Sequence, residues 1–117
     1  MIEQRRLKRR QLVYYLKVND RLSGQTVGRL VDITTEGVML ISSYPIETNR
    51  VYQMVMTLPQ EMEGAREIAF DAKSHWCRKD VNPDFYVAGF QFVTVSPEDV
   101  LTITDLIRQY ELPGGAA

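Results

Sequence analysis

QTVGRLVDITTEGVMLIS, residues 25–42, decides the fold class of this chain. QTVGRLVDI alternates apolar and polar residues, with Val27, Val31 and Ile33 as the inward set. Period two over a β-branched run is the pattern of a half-buried strand. TTEG makes a tight connection, and VMLIS continues as the next strand. Two strands this close together in sequence make a hairpin, and so an antiparallel sheet.

Working outward, the same pattern recurs. LVYYLKVN places Leu12, Tyr14, Leu16 and Val18 on one face, and DRLSG follows as a turn in which Gly24 can take positive φ. After the loop SYPIETN, RVYQMVMTL lines up Tyr52, Met54, Met56 and Leu58. PQEMEGAR is a break, and EIAFDAKSHWC carries Ile68, Phe70, Ala72, Ser74 and Trp76 in register. RKDVNPD, with its Asn-Pro, reads as a loop, and FYVAGFQFVTV closes the series with Phe90 and Phe92 toward the core. The period then changes. Ser96 as N-cap, Pro97 at the first helical position and Asp99 three after the cap start a helix, along which Val100, Ile103, Ile107 and Tyr110 recur, with Leu106 widening the stripe. Pro113-Gly114-Gly115 ends it.

The expected fold is therefore mainly all-β: a small antiparallel six-stranded β-barrel with a C-terminal amphipathic α-helix and a flexible basic N-terminal arm. Closing the strands into a barrel removes exposed sheet edges. No repeat or low-complexity linker divides the 117 residues, so they read as one domain: basic arm 1–11, barrel 12–95, helix 96–112.

Composition narrows the function. The chain is 44% hydrophobic and 25% charged, an ordinary soluble balance. It has no apolar run long enough for a membrane span and no secretory leader, which together with a single cysteine, Cys77, point to the cytoplasm. Residues 1–10 carry Arg5, Arg6, Lys8, Arg9 and Arg10 against Glu3, a net of +4, whereas residues 11–117 are net −5. A body of that sign argues against DNA or RNA as partner, which takes many cationic phosphate contacts. A compact cationic arm suits a small polyanion or an acidic protein surface.

Catalysis finds little support. His75 and Cys77 invite a thiolate mechanism, but no third orienting group is evident and they read as structural. Glu61 and Glu63 read as solvated loop residues. There is no Walker-type loop, GxGxxG cradle or metal-ligand spacing. The expectation is no enzyme, no metal and no cofactor.

The chemistry lies in VDITTEGVML, where Asp32, Thr34 and Gly37 stand at D-x-T-x-x-G spacing. An Asp at a strand end can accept from ligand N–H groups, a hydroxyl beside it can donate or accept, and a glycine allows a sharp turn and close backbone approach. The plainer reading is a β-turn whose side chains bond their own backbone. Together with the RxxxR of RRLKR (Arg5 to Arg9), the DITTEG motif (Asp32 to Gly37) makes the sequence resemble the PilZ domain family. GVMLIS, AKSHWC and VAGFQF also look like their PilZ counterparts, so the likeness covers roughly residues 4 to 95. Thr34 stands where the family usually has serine, and Arg6 to Arg10 satisfies RxxxR equally well.

The resemblance implies a bacterial β-barrel that binds the second messenger cyclic di-GMP. Arg5 and Arg9, with Arg6 and Arg10 as the alternative or additional pair, would contact phosphates and stack on guanines. Asp32 would bond a guanine N–H edge, and Thr34 and the backbone near Gly37 would complete the pocket. Arginine's planar fork suits both tasks. The implied role is a single-domain adaptor that relays the signal to an effector protein in motility, secretion or exopolysaccharide regulation, with no membrane insertion. The alternatives are a protein-interaction module indifferent to nucleotide, and a single-stranded nucleic-acid binder stacking bases on Tyr14 and Tyr15.

Overall fold

Each strand pattern in this sequence buries one face, and a sheet with one buried face is stable only if it closes or is covered. The computed structural model describes residues 16–60, 62, 64 and 66–110. It contains β1 (Lys17–Asp20), β2 (Thr26–Ile33), β3 (Gly37–Ser42), β4 (Val51–Thr57), β5 (Glu67–Lys79), β6 (Tyr86–Val95) and one helix, α1 (Pro97–Tyr110). The strands pair antiparallel in the order β1-β2-β3-β6-β5-β4, and β4 returns to β1 to close a barrel. Leu12 and Tyr14 of the first predicted strand lie outside the described residues.

The inward residues meet in one cluster that includes Val18, Leu30, Leu40, Met54, Met56, Ile68, Phe70 and Ala72, all at most 1% exposed. Phe70 packs edge-on against Phe92, with ring centroids 5.0 Å apart and planes at 77°. Ile103, Leu106 and Ile107 of α1 belong to the same cluster, so the helical stripe is core. The Asp99 amide donates to Ser96 Oγ at 3.1 Å, as the capping pattern requires.

Two inward assignments fail, each at a β-bulge. Leu30 pairs with Leu40 and Asp32 with Met39, leaving Val31 as an extra residue. Leu30 therefore takes the buried place expected of Val31, and Ile33 stays inside. On β5, Ser74 pairs with Phe90 and Trp76 with Gly89, so His75 is the extra residue and Trp76 turns to the outside. A bulge inserts one residue and exchanges the two faces beyond it. Arg78 and Lys79, expected in a loop, continue β5 and pair with Val87 and Tyr86.

The β1–β2 turn is built by local bonds. Asp20 Oδ1 accepts from the amides of Leu22 and Ser23 at 2.8 and 3.0 Å. These bonds, the one from Ser23 foremost, hold its carboxyl below the usual carboxylate range. Gly24 follows at φ 75°. Arg21 then straps the turn to the far side of the closure: its guanidinium donates to the carbonyls of Met54 (3.2 Å) and Phe70 (3.3 Å) and pairs with Asp71 Oδ1 at 2.6 Å. Because both ends of the ion pair keep about 30% of their side-chain surface in water, Arg21→Ala is expected to cost about 1–2 kcal/mol in urea unfolding, mostly through the two carbonyl bonds.

Candidate functional site

The outer face of β2, β3, β6 and β5 carries two adjacent rows set by strand register. Asp32, Met39, Gly89 and Trp76 form one row, because Asp32 pairs with Met39, Met39 with Gly89 and Gly89 with Trp76. Gly37, Gln91 and Lys73 form the next. A groove of about 380 Å³ runs over this face, lined by the Asp32–Gly37 turn on one side and by His75, Trp76 and Gln91 on the other. That volume lies within the range of small-molecule sites, about 300–1,000 Å³.

The turn is tightly bonded. Thr34 N–H donates to Gly37 O at 2.9 Å. Thr34 Oγ1 accepts from the amides of Glu36 (3.0 Å) and Gly37 (3.3 Å), and Asp32 Oδ1 accepts from Ile33 N–H at 2.9 Å. The plainer reading of the motif, side chains bonded to their own backbone, is thus satisfied in the structure. It does not exhaust the groups. With both bonds accepted at its oxygen, the Thr34 hydroxyl keeps its proton to donate.

Gly37 is required for a reason other than the expected one. Its φ is not in the left-handed region, which among the described residues holds Gly24, Gly64 and Asn49. A Cβ at Gly37 would collide with the backbone carbonyl oxygen of Phe90, so the missing side chain serves the close approach of β3 to β6. Gly89 is a second such position, where a Cβ would strike the Trp76 indole.

Trp76 therefore lies flat enough on β6 that only glycine fits beneath its ring. It is 37% exposed, and the Arg78 guanidinium stands over the ring at 4.9 Å from its centroid. His75, the bulged residue, is hydrogen-bonded through Nε2 to Gln91 Oε1 at 2.8 Å. Cys77 bonds on another side, its Sγ accepting from Ile46 N–H at 3.4 Å. Among the described residues no three His, Cys, Asp or Glu side chains gather as a metal site.

Of the sequence-predicted site residues, Asp32, Thr34 and Gly37 share this groove. Arg5, Arg6, Arg9 and Arg10 lie outside the described residues. Sequence reading placed Trp76 in the inward register, read His75 as structural and passed over Gln91. Only the bulge places Trp76 and Asp32 on the same face, and no period in the sequence announces a bulge.

A family model described as PilZ domain matches residues 3–109. Several solved structures share the fold, among them the following three. The Bacillus subtilis inhibitor of motility (MotI/DgrA) is 14% identical with a TM-score of 0.61, over 80% of this chain and 45% of its own. The PilZ domain of YcgR from Escherichia coli, described with c-di-GMP, is 18% identical with a TM-score of 0.62, over 83% of this chain and 81% of its own. The K. pneumonia MrkH-c-di-GMP complex is 16% identical with a TM-score of 0.64, over 80% and 45%. The chain thus spans a little under half the length of two of them. No curated protein matches it in sequence.

Proposed function

The chain belongs to the PilZ domain family, and from that premise we propose that it is a receptor for cyclic di-GMP, with the ligand seated in the outer groove of β2, β3, β6 and β5. The observation that carries this reading is the convergence of the Asp32–Gly37 turn and the Trp76 indole on one groove. The fold is the one that YcgR and MrkH present with c-di-GMP.

The ligand is a dianion with two guanines, and the groove offers a partner for each part. Asp32 accepts from the N–H edge of a guanine, and Thr34 donates its remaining proton to a ligand oxygen. Trp76 supplies an aromatic wall, and Arg78 a cation at its rim. Arg5 and Arg9, or Arg6 and Arg10, bring guanidinium groups to the phosphates and base faces, where bidentate and stacking contacts are strongest. The role is binding rather than catalysis. The signal then passes to a partner protein, in keeping with a structural neighbour described as an inhibitor of motility.

Trp76 is the single tryptophan of the chain, so its emission reports the groove directly. Titration with cyclic di-GMP is expected to change that emission saturably, and GTP or GMP to leave it unchanged. Gly89→Ala is expected to lift the indole off β6, shift the emission of the free protein and weaken binding about tenfold, while stability falls by no more than about 1 kcal/mol because a half-exposed ring can swing outward. An emission spectrum identical to wild type in Gly89→Ala would contradict the placement of Trp76.

A further inference from the structure

We propose that Gln91, held by His75, reads a base in the groove and sets its preference for guanine over adenine; this rests on the nucleotide-receptor reading above. Gln91 is exposed on β6 and pairs with Gly37 of β3, in the row next to Asp32, and it lines the groove together with the Asp32–Gly37 turn. With strands about 4.8 Å apart, the β2 and β6 sides stand roughly 10 Å from each other, the span of a purine with a hydrogen bond at either edge.

The amide of glutamine is ambiguous by itself. It can donate and accept side by side, the pattern that matches adenine's N6 amino group and N7. His75 removes that ambiguity. His75 Nε2 and Gln91 Oε1 lie 2.8 Å apart; in the Nε2–H tautomer the ring donates there, which engages the acceptor and leaves the NH₂ for the groove. What remains is a donor. Guanine presents two acceptors, O6 and N7, where adenine presents an acceptor and a donor. A donor from Gln91 on one side and the Asp32 carboxylate on the other thus match the acceptor edge and the N–H edge of guanine together, and they meet adenine's amino group with a like donor.

His75 is in this account a positioning residue, and its bulge has a purpose. The extra residue on β5 brings an imidazole beside Gln91 while the next residue, Trp76, turns to the same outer face. Loss of His75 frees the amide to rotate, so its effect falls on selectivity more than on affinity.

The test is calorimetric titration of wild type, His75→Phe and Gln91→Glu with cyclic di-GMP and with cyclic di-AMP, with melting temperature as the check on folding. Wild type is expected to favour cyclic di-GMP by at least about tenfold. Gln91→Glu, which replaces the donor with an acceptor, is expected to lower cyclic di-GMP affinity about tenfold, and His75→Phe to shrink the ratio between the two ligands by a similar factor. Both positions are exposed, so either variant alone decides the matter should the other fail to fold. Binding of cyclic di-GMP by wild type with the ratio unchanged in the folded variants overturns the role of Gln91 and leaves the receptor reading standing. No binding of either ligand by wild type overturns both.

Discussion

Phe70→Ala is expected to cost the barrel about 3–5 kcal/mol, the range for removing a buried aromatic ring. Phe70 is 1% exposed and packs edge-on against Phe92, and its carbonyl accepts one of the Arg21 bonds. The ring belongs to the same core cluster as Ile103, Leu106 and Ile107 of α1, so its loss leaves a cavity the closed barrel cannot collapse. Against a total stability of about 5–15 kcal/mol for a small domain, that loss removes a large fraction of the folding free energy. Urea denaturation reads it directly. Phe70→Leu, which refills most of the volume, is expected to cost about 1–2 kcal/mol. A loss below about 1 kcal/mol for the alanine variant would mean that Phe70 is not at the centre of the core.

Gly37→Ala carries the second large effect, and it joins stability to the site. The added methyl would overlap the Phe90 carbonyl oxygen, with Gln91 Cα at 3.1 Å as the next neighbour. Both are backbone, so neither can step aside as a flexible side chain would. The strands must separate where Gly37 pairs with Gln91 and Val38 with Phe90. The expected cost is about 3 kcal/mol, the upper end for overpacking. Because Gly37 also closes the turn through its carbonyl and its amide, cyclic di-GMP affinity is expected to fall more than tenfold in the fraction that stays folded. Gly24→Ala provides the contrast. Gly24 has open space around it but φ 75°, so an alanine there meets backbone strain of about 1 kcal/mol and leaves the groove untouched. Equal losses at the two positions would contradict the argument from the β3–β6 approach.

Most of the fold was legible because it rests on signals of one or two residues' range. Alternation at Tyr52, Met54, Met56 and Leu58 describes β4 as it stands, and the Ser96–Asp99 cap and its following stripe describe α1. The D-x-T-x-x-G turn was legible for the same reason, as three side chains within one turn. What escaped were the bulges at Val31 and His75. A bulge is a property of two paired strands, and the residue it inserts looks like any other in sequence. Its consequence is large at this site. Strict alternation sends Trp76 to the core beside Ser74, whereas the bulge delivers it to the outer face over Gly89, in the row of Asp32. Gln91 was passed over because FQF was read for its phenylalanines. Its partners, His75 and Gly37, come from two other strands and are unrelated to it in sequence. The purpose of Gly37 was hidden likewise, since the Phe90 carbonyl it must accommodate lies more than fifty residues away.

Isothermal titration of the protein with cyclic di-GMP, alongside Asp32→Ala and a GTP control, tests the central claim most directly. The account predicts saturable heat with cyclic di-GMP in the wild type, its loss by at least tenfold in affinity in the folded Asp32→Ala variant, and no heat with GTP. Absence of heat with cyclic di-GMP, together with an unchanged melting temperature in its presence, would contradict the account and leave the groove without the ligand assigned to it.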